Sequence, residues 1–114
     1  MNEVRRPDDG ELCGHVLAAD GQWHALAVFG GLLGTHDDEA AAADQVRHEG
    51  LASLAERWQY RADPTAEWQV VCIQEAAPQS VRLALDYYSM PGVPTVTHSR
   101  EQLQSGEVVL RRDR

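Results

Sequence analysis

The stretch Leu12-Cys13-Gly14-His15-Val16-Leu17-Ala18-Ala19-Asp20-Gly21-Gln22-Trp23-His24-Ala25-Leu26-Ala27-Val28-Phe29 decides how the chain folds. Two apolar runs, Leu12 to Ala19 and Gln22 to Phe29, flank Asp20-Gly21. A type I′ turn needs φ > 0 at both central residues, which Asp tolerates and Gly adopts freely, so the pair predicts a two-residue hairpin. So short a turn also sets the register, because side chains alternate between faces along a strand. Leu12, Gly14, Val16, Ala18, Trp23, Ala25, Ala27 and Phe29 fall on one face. Cys13, His15, Leu17, His24, Leu26 and Val28 fall on the other.

Upstream, residues 1–10 (MNEVRRPDDG) are polar and charged and read as a flexible N-terminal arm. They hold no apolar core of the signal-peptide kind. Downstream, Gly30-Gly31 turns the chain into a third run, Leu32 to His36. Thr35 three residues before Asp38 suggests a helix cap, and Asp37, Asp38 and Glu39 suit the positive end of a helix dipole. Glu39 to Arg57 reads as the main helix, with Ala43, Val46, Leu51, Leu54, Ala55 and Trp58 at helical spacing and Val46 and Leu54 as its packing residues. Gly50 inside that stripe either lets a strand approach closely or splits the helix.

The second half is again β. Trp58 to Ala62 and Glu67 to Glu75 flank a loop at Asp63-Pro64-Thr65-Ala66. Val81 to Tyr88 alternates, with Val81, Leu83, Leu85 and Tyr87 to one side, as in a half-buried antiparallel strand. Thr95 to Thr97 extends, Ser99 and Gln102 form a capping box for a short helix closed by Gly106, and Glu107 to Arg111 is a last strand. The expectation is a single α+β domain over residues 11–112. Its antiparallel sheet, built from the N-terminal hairpin and the C-terminal strands, packs on one main helix.

Composition narrows function by exclusion. In 114 residues, 43 % hydrophobic and 25 % charged, no apolar run approaches a membrane span of ~20 residues. Eighteen acids against ten bases leave a net charge of −8, which disfavours non-specific nucleic-acid or anionic-membrane binding. The one terminal basic cluster is Arg111, Arg112 and Arg114. All ten bases are Arg, while Asn, Ile and Phe appear once each, a bias that points to a GC-rich bacterial genome. Cys13 and Cys72 lack CxxC spacing, so two free thiols in a reducing cytoplasm are expected.

Three sets of residues carry candidate chemistry. Cys13, His15 and His24 share a hairpin face, and a thiolate with two imidazoles suits zinc, though core packing explains the same residues. His36, Asp37, Asp44 and His48 include a helical stripe of two carboxylates and an imidazole, without an established helical metal motif. Trp58, Tyr60, Trp68, Tyr87 and Tyr88 cluster in the second half, and aromatics mark both cores and interaction surfaces. No serine sits in a nucleophile elbow, no glycine loop cradles phosphate, and no cofactor is implied.

Trp23-His24-Ala25, Gly30-Gly31, Leu33-Gly34-Thr35 and the helix with Glu39, Ala40, Ala43 and Asp44 resemble the AP2 domain and the three-strand-plus-helix arm-binding domains of phage integrases. The resemblance covers roughly a third of the chain and implies a sheet that reads the DNA major groove with Arg and Trp. Glu11 to Leu33 contains no Arg, however, and the first 57 residues carry eleven acids and four bases. The expected function is therefore a non-catalytic acidic module working by protein–protein contact: a regulator, inhibitor, immunity-type antagonist or accessory subunit, with a second copy of itself as one possible partner. Its expected contact residues are Asp37, Asp38, Glu39 and Asp44, with Tyr60, Trp68 and Tyr88. A sequence-specific DNA-binding protein is the alternative, and a small metal-dependent enzyme the third.

Overall fold

In a computed structural model describing residues 1–113, the chain is α+β and forms two compact units, Met1–Leu54 and a second beginning at Ala55. The strands expected in one sheet are divided between two antiparallel sheets, of four and five strands.

The first unit holds β1 (Asn2–Arg5), β2 (Leu12–Ala19), β3 (Gln22–Ala27), β4 (Leu32–His36) and α1 (Glu39–Glu49), with sheet order β1-β2-β3-β4. Asp20 and Gly21 have φ of 52° and 79°, the two positive values of a type I′ turn. The register follows: Gly14 pairs with Ala27, Val16 with Ala25, and Ala18 with Trp23. The face bearing Gly14 receives α1, whose Val46 and Ala42 are fully buried.

Residues 2–5 are a paired edge strand and not a free arm: Asn2 faces Val16 and Val4 faces Gly14. An edge strand covering one face needs only one apolar residue, and Val4, 5 % exposed, is that residue. The β1–β2 loop is closed by the Arg6 guanidinium on Asp9 at 2.6 Å and by Asp9 accepting the Glu11 N–H at 3.0 Å. Those bonds, with Arg6 first, hold the Asp9 carboxyl down at about 2.

Two expectations about the helix are corrected. Its N-cap is Asp38, which accepts the Ala41 N–H at 2.8 Å, while Thr35 remains in β4 opposite His24. The helix stops at Glu49 and does not reach Arg57. At Gly50 a β-carbon would lie 2.2 Å from the Cys13 carbonyl oxygen, so this residue both admits strand β2 and ends the helix. A 3₁₀ turn, Ala52–Ala55, follows, its buried Ser53 hydroxyl donating to the Gly50 carbonyl at 2.7 Å. Leu54 lies in that turn, half-buried, and is not a core residue of the helix.

The second unit comprises β5 (Arg57–Arg61), β6 (Gln69–Ala77), β7 (Ser80–Ala84), β8 (Thr95–Ser99), α2 (Arg100–Ser105) and β9 (Val109–Arg112), in the order β8-β7-β6-β5-β9. Period-two alternation is clearest in β5. Trp58, Tyr60, Val71, Val81, Leu83 and Leu110 are buried, whereas Arg57, Gln59 and Arg61 alternate outward. The Ser99–Gln102 capping box and left-handed Gly106 (φ 81°) bound α2 as expected. Strand β7 ends at Ala84, short of Tyr88. Beyond it the Leu85 N–H donates to the Pro94 carbonyl and the Cys72 thiol to that of Tyr87, leaving Tyr87 48 % exposed instead of facing inward.

Candidate partner surface

The acidic residues expected to meet a partner are largely occupied at home. Asp38 caps α1; Glu39 accepts from the Asn2 side chain at 2.9 Å; Asp44 forms an ion pair with Arg47 one helical turn on. Asp37 is exposed beside them. A cleft of about 370 Å³ runs between β1 and α1, and its charged lining is paired within the unit, Arg5 with Glu3 and Arg47 with Asp44.

The candidate metal sets do not assemble. Among the described residues no three His, Cys, Asp or Glu side chains converge to hold an ion. Cys13, His15 and His24 do share a sheet face, as the register predicts. Cys13 is fully buried, its thiol donating to the Glu11 carbonyl at 3.6 Å, and burial raises its pKa, which suits an inert core thiol. Both cysteines are free. His36 turns from Asp44 to Gln45 (Nε2 to Oε1, 2.7 Å), and His48 Nδ1 meets the Asp44 carbonyl.

The three-strand-plus-helix unit implied by the AP2 and integrase-arm resemblance is here part of a four-stranded sheet, with β1 added beside β2. The sheet face away from α1 would be the DNA-reading face. It carries Cys13, His15 and Leu26, all at most 6 % exposed, and no Arg.

Of the expected aromatic contacts, Tyr60 lies in the core. It is 3 % exposed and on the inner face of its sheet, where burial raises its pKa. Its hydroxyl lies 2.7 Å from His98 Nε2. Gln102 Oε1 accepts the Ser99 N–H and lies 3.1 Å from His98 Nδ1, so Nδ1 carries the ring proton and Tyr60 donates to Nε2. The chain Tyr60–His98–Gln102 is a structural network across the second unit.

Trp68 and Tyr88 instead meet three arginines outside that core. The Arg61 and Arg111 guanidinium carbons stand 4.5 and 3.8 Å from the Trp68 ring centroid. Arg57 lies 4.6 Å from Tyr87 and 5.8 Å from Tyr88, themselves an edge-to-face pair. Gln59, between Arg57 and Arg61 on β5 and opposite Arg111 on β9, accepts from Arg111 at 2.6 Å. Met90, 60 % exposed, is in the loop that follows Tyr88.

These arginines are unusual for this chain. Arg5, Arg6, Arg47, Arg82 and Arg112 each hold a carboxylate, while among the described residues Arg57, Arg61 and Arg111 form no ion pair. The anticipated terminal cluster is split by strand alternation: Arg111 points outward, Arg112 is fixed inward on Glu56 at 2.7 Å, and Arg114 lies outside the described residues. Sequence reasoning did not single out Arg57, Arg61 or Met90. The alternation Arg57-Trp58-Gln59-Tyr60-Arg61 marks an outward polar row, but the approach of Arg111 and Trp68 to it comes only from strand pairing. No helix is long and apolar enough to cross a membrane. No family model, no curated protein and no solved structure matches the chain.

Proposed function

We propose that the chain is a non-catalytic module that acts by binding another protein, as a regulator, inhibitor or accessory subunit. The partner docks on the outward face formed by Arg57, Arg61, Trp68, Tyr87, Tyr88 and Arg111. The observation that supports this is the composition of that face: arginine, tryptophan, tyrosine and the neighbouring Met90 are the residue types enriched at protein interfaces. Stacking on the rings also limits the freedom that arginine side chains lose on binding.

The test is differential capture. Immobilised wild-type protein, the double variant Arg57→Glu/Tyr88→Ala and the variant Asp37→Lys are exposed to lysate of the source cells, and retained proteins are identified by mass. Species held by the wild type and by Asp37→Lys should be lost with the double variant while its circular dichroism is unchanged. A retained set identical for all three proteins would refute the assignment of this face. Loss with Asp37→Lys alone would return the contact to the start of α1.

A further inference from the structure

Resting on the protein-binding reading above, we infer that the segment docked on the β5–β9 face is extended and rich in carboxylates. The first ground is charge. The chain has eighteen acids for ten bases, so carboxylates to neutralise an arginine are plentiful, yet Arg57, Arg61 and Arg111 form no ion pair among the described residues. Three arginines without an ion pair on one face complement an anionic partner, and Asp113 on Gln59 and Asp63 in the turn after Arg61 limit how many carboxylates it can bring.

The second ground is orientation. A guanidinium recognises a carboxylate through its N–H edge, as a planar fork, and not through its flat face. Here each guanidinium stands over a ring: Arg61 and Arg111 over Trp68, and Arg57 over Tyr87. Gln59 further holds Nε of Arg111, and the Tyr87 carbonyl holds Nε of Arg57 at 2.6 Å. No hydrogen bond to the terminal nitrogens of these three side chains is present among the described residues, so those forks remain for a ligand.

The third ground is spacing. Arg57, Gln59 and Arg61 are alternate residues of one strand, so their side chains repeat at ~7 Å, the repeat of alternate side chains in any extended segment. A partner strand can therefore set acids four residues apart on Arg57 and Arg61, with Arg111, opposite Gln59, taking a carboxylate between them. A nucleic-acid strand fits less well, because its charge continues beyond the three arginines.

The experiment is fluorescence anisotropy at physiological salt. The probes are a labelled peptide of about twelve residues alternating Glu and Thr, its Gln-for-Glu counterpart, and a thymidine oligonucleotide of equal length. The proteins are the wild type, Arg61→Gln/Arg111→Gln, Arg61→Lys/Arg111→Lys, and the control Arg82→Gln, which alters an exposed arginine of β7 already paired with Glu75. The Glu peptide should bind the wild type and Arg82→Gln equally, and the Gln double variant at least about tenfold more weakly. The Lys double variant, keeping charge without the fork, should fall between them. Equal binding of the Glu and Gln peptides, or by the Gln double variant and the wild type, would overturn the carboxylate assignment. So would failure of the Glu peptide to bind while lysate capture still depends on the face, an outcome that spares the protein-binding reading. Tighter binding of the oligonucleotide than of the Glu peptide would overturn both and assign the face to single-stranded nucleic acid.

Discussion

Replacing Gly50 by alanine tests the packing of the first unit, because two opposed effects of known size meet there. The backbone at Gly50 is right-handed helical (φ −56°, ψ −55°), a conformation alanine prefers. Considered locally, the change should stabilise by ~0.4–1 kcal/mol, through the smaller entropy of the unfolded chain. The surroundings say the opposite. The new β-carbon would stand 2.2 Å from the Cys13 carbonyl oxygen and 2.6 Å from that of Val46, where real contacts essentially never fall under 3.0 Å. The Cys13 carbonyl must therefore retreat by at least about 0.8 Å. It has little room, since Cys13 is fully buried and its neighbour Gly14 is paired on both sides, with Val4 and Ala27. Overpacking of this kind costs ~1–3 kcal/mol, and two simultaneous clashes belong at the upper end, leaving a net loss of about 2 kcal/mol. Urea unfolding followed by far-ultraviolet circular dichroism should show the midpoint falling by roughly 1 M at unchanged slope. A midpoint equal to or above the wild type would mean that Gly50 is only a helix terminus and that β2 does not press on it.

Three further outcomes follow from the same geometry. Tyr60 has its pKa raised by burial, so its contribution to stability is complete below the unfolded value of ~10 and is lost as pH rises through the folded one; thermal melts should weaken in strong alkali, and Tyr60→Phe should flatten that limb while costing ~0.5–1.5 kcal/mol at neutral pH. Ser99→Ala removes the hydroxyl that accepts the Gln102 N–H and should destabilise by ~0.5–2 kcal/mol in chemical denaturation, whereas no loss would mean the capping box contributes nothing. Carboxyl titration by nuclear magnetic resonance should find Asp9 protonating near 2, and Arg6→Gln should return it toward the ordinary carboxylate range; an Asp9 that already titrates normally would deny the loop its ion pair.

What the sequence alone determined is what neighbours along the chain dictate. Asp20-Gly21 specified a turn type, and through it every pairing of β2 with β3, because φ > 0 at two successive residues admits few geometries. Ser99, Gln102 and Gly106 likewise marked both ends of α2 within a few residues. What the tertiary structure alone decided depends on neighbours distant in sequence. β1 looks like a free arm until β2 supplies its hydrogen-bond partners and a single valine suffices to bury it. Position 50 admits only glycine because of a carbonyl thirty-seven residues upstream. Tyr60 and Trp68 are both aromatic, yet strand alternation sends Tyr60 into the core, while Trp68, just before β6, meets two guanidiniums. The face that carries the proposed function was not visible in the sequence, because Arg111 lies fifty residues beyond Arg61 and becomes its neighbour only when β9 pairs with β5.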